Sequence, residues 1–89
     1  MYSWAFYNAA AAKQFRKLDP PVQRRLVAWL DAHISGTADP RVWGRALEGP
    51  LGTLWRYRVG DYRIIASIDD DEFLVLVVKA GPRGDMYRS

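Results

Sequence analysis

Cysteine is absent from this 89-residue chain, and histidine occurs once, at His33. Without cysteine there is no disulfide framework, so the fold rests on its core and hydrogen bonds, which fits a reducing compartment and a cytoplasmic protein. A lone histidine excludes paired-histidine ribonuclease chemistry within one chain. On a helix, His33 reads as surface or core edge rather than as a catalytic base. No stretch approaches the roughly 20 apolar residues of a membrane span, and Met1 to Tyr7 lacks the charged start of a secretory signal, so no membrane partner is expected. The loop "EGPLG" has glycines but no preceding strand and no "GK[ST]", which argues against a nucleotide-phosphate loop. The serines lie in no nucleophile elbow. The acidic "DDDE" at Asp69–Glu72 reads as a solvated turn, since no further acid or histidine is spaced to complete a metal site. Neither cofactor, metal nor small-molecule substrate is expected.

Apolar and aromatic residues are plentiful. The composition is 49% hydrophobic, with four Trp, five Tyr and three Phe, enough for the small two-layer core of one domain spanning residues 1–89. Tyr2, Trp4 and Phe6 alternate with Ser3 and Ala5, predicting a short strand. Asn8 is a candidate helix cap ahead of "AAAAKQFRKL", where Ala11, Phe15 and Leu18 share one face. A second helix follows Asp19-Pro20, with an apolar stripe of Val22, Leu26, Trp29 or Leu30, and Ile34. The two form an antiparallel hairpin. Thr37 to Gly52, rich in Gly and Pro, is expected to be loop with one helical turn around Arg41 to Leu47.

Beyond that loop the period falls to 2. Leu54–Val59, Tyr62–Ile68 and Phe73–Lys79 are β-branched and aromatic runs, predicting a three-stranded antiparallel meander whose nearly all-apolar last strand is central. The expected fold is α+β: an N-terminal strand and a helical hairpin packed on a twisted, mainly antiparallel four-stranded sheet.

Charge is regional. Net charge is +3, yet Arg41, Arg45, Arg56, Arg58 and Arg63 face only Glu48 and Asp61 in the same span. If Gly60-Asp61 is a two-residue hairpin loop, Val59 opposes Tyr62 and Arg58 opposes Arg63. Like charges directly across a ladder destabilise it, and Arg56 projects from the same face. The other face carries Trp55, Tyr57, Tyr62 and Ile64, so one face is core and the other a basic platform. So few acids beside converging guanidinium groups point to a polyanionic ligand, and exposed aromatics able to stack on bases would strengthen that reading.

The order "LEGPLGTLWRYRVGDYRII", acidic turn, apolar strand, then "GPRGDMY" resembles the RelE/ParE superfamily of toxins from prokaryotic toxin–antitoxin systems over nearly the whole chain. The resemblance implies a toxin held in check by a cognate antitoxin protein. RelE-like members cut messenger RNA in the ribosomal A site; ParE-like members poison DNA gyrase and carry no nuclease site. The resemblance favours the first activity, a metal-independent endoribonuclease with ribosome and messenger RNA as partners, and leaves the gyrase poison as its alternative. It places Arg56 and Arg58 at a basic pair on the hairpin's first strand, Arg63 at the "YR" arginine, Arg83 at the "G-x-R" arginine and Tyr87 at the closing tyrosine, with Arg45 joining them on the RNA backbone. Such chemistry lets the RNA 2′-hydroxyl attack the adjacent phosphorus. Arginines suit the crowded dianionic transition state. Tyr87 is a candidate base once nearby cations favour its anion, and Arg83 suits leaving-group stabilisation better than proton donation.

Overall fold

The computed structural model describes residues 1–49 and 52–82. Element order is β1 (Ser3–Phe6), α1 (Ala9–Arg16), α2 (Pro20–His33), a 3-10 turn (Pro40–Trp43), β2 (Gly44–Gly49), β3 (Gly52–Val59), β4 (Tyr62–Asp69) and β5 (Leu74–Pro82). The strands form one mixed sheet in the order β1-β5-β4-β3-β2. Neighbours are antiparallel except β1, which runs parallel to β5. The α+β architecture follows the sequence expectation, with a correction: the sheet has five strands, not four. The extra one is β2, in the segment expected to be loop. The helical turn in that segment is confined to Pro40–Trp43, and the chain then pairs with β3 from Gly44↔Tyr57 to Gly49↔Gly52.

Local chemistry accounts for the boundaries. Asn8 caps α1, its side chain accepting from Ala11 N at 2.8 Å, as its position predicts. Asp19 precedes α2 but makes no side-chain capping bond; Gln23 instead donates to the Leu18 and Arg16 carbonyls that close α1. Pro20 supplies a helix-ready φ where no N–H is needed. Both helices lie over one sheet face: Phe15, Leu26, Leu30 and Ile34 meet Tyr57, Val59, Ile64, Ala66, Val75 and Val77 in a single core. The helical stripe resolves in favour of Leu30, fully buried, while Trp29 sits half-buried beside it. Strand β5 is interior, between β1 and β4, although β4 is the middle strand; one face of β5 is buried and the other half-buried. Among the described residues no helix is long and apolar enough to cross a membrane.

The β3–β4 register matches the sequence arithmetic: Val59 pairs with Tyr62, Arg58 with Arg63, Tyr57 with Ile64. Gly60, at φ 61°, makes this tight turn possible. Between β4 and β5 the register slips at Ile65/Ala66, and Val78 is left without a partner. That bulge lets Val75, Val77 and Ala80 all reach the core.

Candidate nucleic-acid interface

The sheet face away from the helices gathers the arginines. Arg45 on β2 pairs with Arg56 on β3, and Arg58 on β3 pairs with Arg63 on β4. Two like-charged pairs therefore lie side by side on three adjacent strands. They line an open basin of about 530 Å³, with Val42 and Trp43 of the 3-10 turn at its rim. Its volume is in the range of small-ligand sites.

The arginines differ in setting. Arg45 and Arg58 are exposed, Arg56 is half-buried, and Arg63 is only 6% exposed. The Arg63 guanidinium donates to its neighbour's carbonyl, Tyr62 O, through Nη1 at 3.3 Å. Among the described residues Arg45, Arg58 and Arg63 have no carboxylate partner. A nearly buried cation facing other cations is costly unless an anion arrives. Next to Arg63 in the ladder is Gly81, which has no side chain to cover it. Gln14 of α1 holds the main chain there, donating to Ala80 O at 2.7 Å and accepting from Ala80 N at 3.2 Å. It thus acts as a strand surrogate on the stretch of β5 that β1, ending at Phe6↔Val77, does not reach.

The one acid-rich turn is used elsewhere. Asp70 takes a two-pronged bond from Arg41 at 3.0 and 2.9 Å and accepts from the Tyr2 hydroxyl at 2.6 Å. Bonds from Arg41 and then Tyr2 hold its carboxyl below the ordinary value, and Asp70 in turn raises the Tyr2 phenol. Arg41 also lies over the Trp55 ring, 5.8 Å from its centroid. The turn thus ties β1 to the 3-10 segment, and the basin keeps its positive charge. Among the described residues no group of three or more His, Cys, Asp and Glu could hold a metal ion.

Of the six residues singled out from sequence, Arg45, Arg56, Arg58 and Arg63 come together; Arg83 and Tyr87 lie outside the described residues. Sequence reading missed the rim. Trp43 is 47% exposed beside four arginines, and His33, set aside as core edge, packs behind it. The signal was "DPRVW": an aspartate cap followed by proline, starting a short turn that ends in an exposed aromatic.

Comparisons with known proteins identify the family. A family model described as ParE toxin of type II toxin-antitoxin system, parDE, matches residues 6–87. The toxin RelG of Mycobacterium tuberculosis (strain ATCC 25618 / H37Rv) is 27% identical over 82 residues, covering 92% of each chain. Among solved structures, the toxin–antitoxin complex RelBE2 from Mycobacterium tuberculosis contains a chain similar to this one at TM-score 0.73 and 26% identity, over 92% of this chain and 98% of that one. The archaeal RelE–RelB complex from Pyrococcus horikoshii OT3 gives TM-score 0.68 and 28% identity, over 94% and 97%. With a family match across nearly its full length and the same fold in these relatives, the chain belongs to the RelE/ParE toxin family of type II toxin–antitoxin systems.

Proposed function

We propose that this toxin is of RelE type: an endoribonuclease that cuts messenger RNA in the ribosomal A site and is neutralised by a cognate antitoxin. The observation that carries the reading is the basin itself, where Arg45, Arg58 and Arg63 converge without a carboxylate partner among the described residues. In this reading Arg45 and Arg56 hold flanking phosphates, and Arg58 and Arg63 hold the phosphate that reacts. The 2′-oxygen bonds to phosphorus as the 5′-oxygen leaves and takes a proton from water, giving a 2′,3′-cyclic phosphate and a 5′-hydroxyl. Charge builds on the non-bridging oxygens during that step, so cations fixed in advance, Arg63 above all, stabilise the transition state more than the ground state. Arg83 is assigned to the leaving oxygen and Tyr87 to the departing 2′-hydroxyl proton. The weak acid–base chemistry of these groups leaves much of the rate to positioning by the ribosome. The relatives solved as toxin–antitoxin complexes support the binding of a cognate antitoxin.

The test adds purified toxin to translating ribosomes and maps the 5′ ends of the messenger. Wild type is expected to cut within the A-site codon. Arg63→Ala is expected to lose about 10²–10³-fold in rate, the usual effect of removing one transition-state donor. An intact messenger, with Arg63→Ala as toxic in cells as wild type, would refute the reading. The matching family model is described as a ParE toxin, which favours a second reading, a gyrase poison without nuclease activity. Accumulation of cleaved DNA–gyrase complexes with translation unaffected would select it.

A further inference from the structure

Trp43 presents a large aromatic ring to solvent at the edge of a cationic basin, and the fold goes to some length to hold it there. The His33 ring packs against it in a T-shaped contact, with centroids 4.8 Å apart and planes at 76°. His33 stacks on Trp29 at 4.7 Å and 20°, and Trp29 leans on Tyr57 at 5.3 Å. Nδ1 of His33 lies 3.1 Å from Trp29 O, a carbonyl that can only accept, so this nitrogen carries a proton and fixes the ring plane.

The main chain of the turn is held just as firmly. The buried Tyr57 hydroxyl donates to Pro40 O at 2.7 Å, Trp55 Nε1 donates to Arg41 O at 3.1 Å, and Asp39 accepts from Arg41 N at 3.0 Å. Tyr57 thus ends the ring series and also anchors the start of the turn. Directly after Trp43, a Cβ at Gly44 would run into the Arg56 carbonyl oxygen and lie 2.9 Å from ring atoms of Trp55 and Tyr57. Only glycine lets β2 pack this closely, which keeps Trp43 beside Arg45 and Arg58. An aromatic held in place and open to solvent is preorganised for a flat partner, because its ordering cost is already met in the free protein.

We infer that Trp43 is a stacking shelf for one base of single-stranded RNA, the nucleotide whose phosphate sits on the Arg58/Arg63 pair. The inference rests on the nuclease reading above and adds to it a base-binding subsite. Phosphate on guanidinium with base on indole is the pairing by which single strands are gripped with little sequence preference. An indole face stacks on any base and reads no edge pattern. Codon preference is therefore expected to be weak at the position over Trp43.

The experiment measures binding rather than cutting, using a short 2′-O-methyl oligoribonucleotide that cannot be cleaved. Wild type, Trp43→Leu and Trp43→Phe are titrated against the intact oligonucleotide and against copies carrying one abasic residue at each position in turn. Base–aromatic stacking corresponds to a factor of about 5 to 150 in affinity. Wild type should lose that factor at one abasic position. Trp43→Leu should lose it on intact RNA and be indifferent to the same lesion, while Trp43→Phe keeps most of the affinity and the lesion sensitivity. Thermal melts confirm that each variant folds. Should Trp43→Leu bind RNA like wild type while Arg58→Gln is weakened, the shelf is overturned and the phosphate platform stands. Should Trp43→Leu loosen only the complex with a co-expressed antitoxin, the ring is a protein anchor and the shelf is again overturned. If wild type binds no oligonucleotide, the shelf fails, and the ribosome assay separately decides the nuclease reading.

Discussion

Arg58→Gln is expected to make the free protein more stable and a weaker RNA binder at once. Arg58 and Arg63 are direct register partners, and Arg63 is 6% exposed with no carboxylate partner among the described residues. Opposed like charges on a sheet cost on the order of 0.2–1 kcal/mol. Two unit charges ~6 Å apart repel by about 0.7 kcal/mol in bulk water and about 2.8 kcal/mol at an effective dielectric of ~20. With one partner buried and the other exposed, about 1 kcal/mol is the expected relief. Glutamine removes the charge while keeping part of the aliphatic stem. For a domain of this size the gain corresponds to a rise of roughly 4–8 °C in Tm. Thermal unfolding followed by circular dichroism measures it, first at about 0.01 M salt, where charges interact over ~30 Å, then at about 1 M, where screening confines them to ~3 Å. The gap between variant and wild type should close as salt rises. In RNA titrations the same variant should reduce the slope of log K against log salt by about 0.7. A variant that melts at or below wild type in low salt, or a gain undiminished at high salt, refutes the argument that the platform is electrostatically strained.

Tyr57→Phe should destabilise by about 1–3 kcal/mol, since the Pro40 carbonyl loses its buried donor; denaturant midpoints test this. Burial, partly offset by Arg41, raises the Tyr57 phenol well above its ordinary value. Its stabilisation is therefore complete below the unfolded pKa of about 10 and is lost as pH rises beyond it. The wild-type advantage over Tyr57→Phe should shrink in alkali, and a constant gap would contradict the assignment. Asp70→Asn should lower Tm and also weaken RNA binding, because Asp70 holds the turn that carries Trp43. Its carboxyl is lowered by Arg41 and then Tyr2, so the contribution is present above an unfolded value of about 3.9 and fades as pH falls through the folded one. Matched pH melts of both proteins check it, with convergence expected in acid.

Periodicity made most of the scaffold legible. Alternation in Leu54–Val59 and Tyr62–Ile68, with a two-residue turn between, determines which side chains share a face. The Arg58↔Arg63 pairing and the core placement of Tyr57 and Ile64 follow from that. Asn8 as a cap, and the Leu26 and Ile34 stripe, depend on interactions within one turn or one face of a helix. The motifs of the hairpin and tail are distinctive enough to point to the family from sequence.

Tertiary structure alone decided the rest, because the deciding interactions join residues far apart in the chain. "GRALEG" has no period-2 alternation and contains good helix formers; it is a strand because β3 offered an open edge to pair with. Asp70 reads as one acid in a solvated run, and its role exists only where the turn meets Arg41 and Tyr2. Trp43 is one aromatic among many until the 3-10 turn, the His33 ring and the Tyr57 hydroxyl bring it to the basin. Local sequence could specify that the arginines share a face. Which of them is buried, what stands beside it and whether an acid neutralises it were fixed by long-range packing.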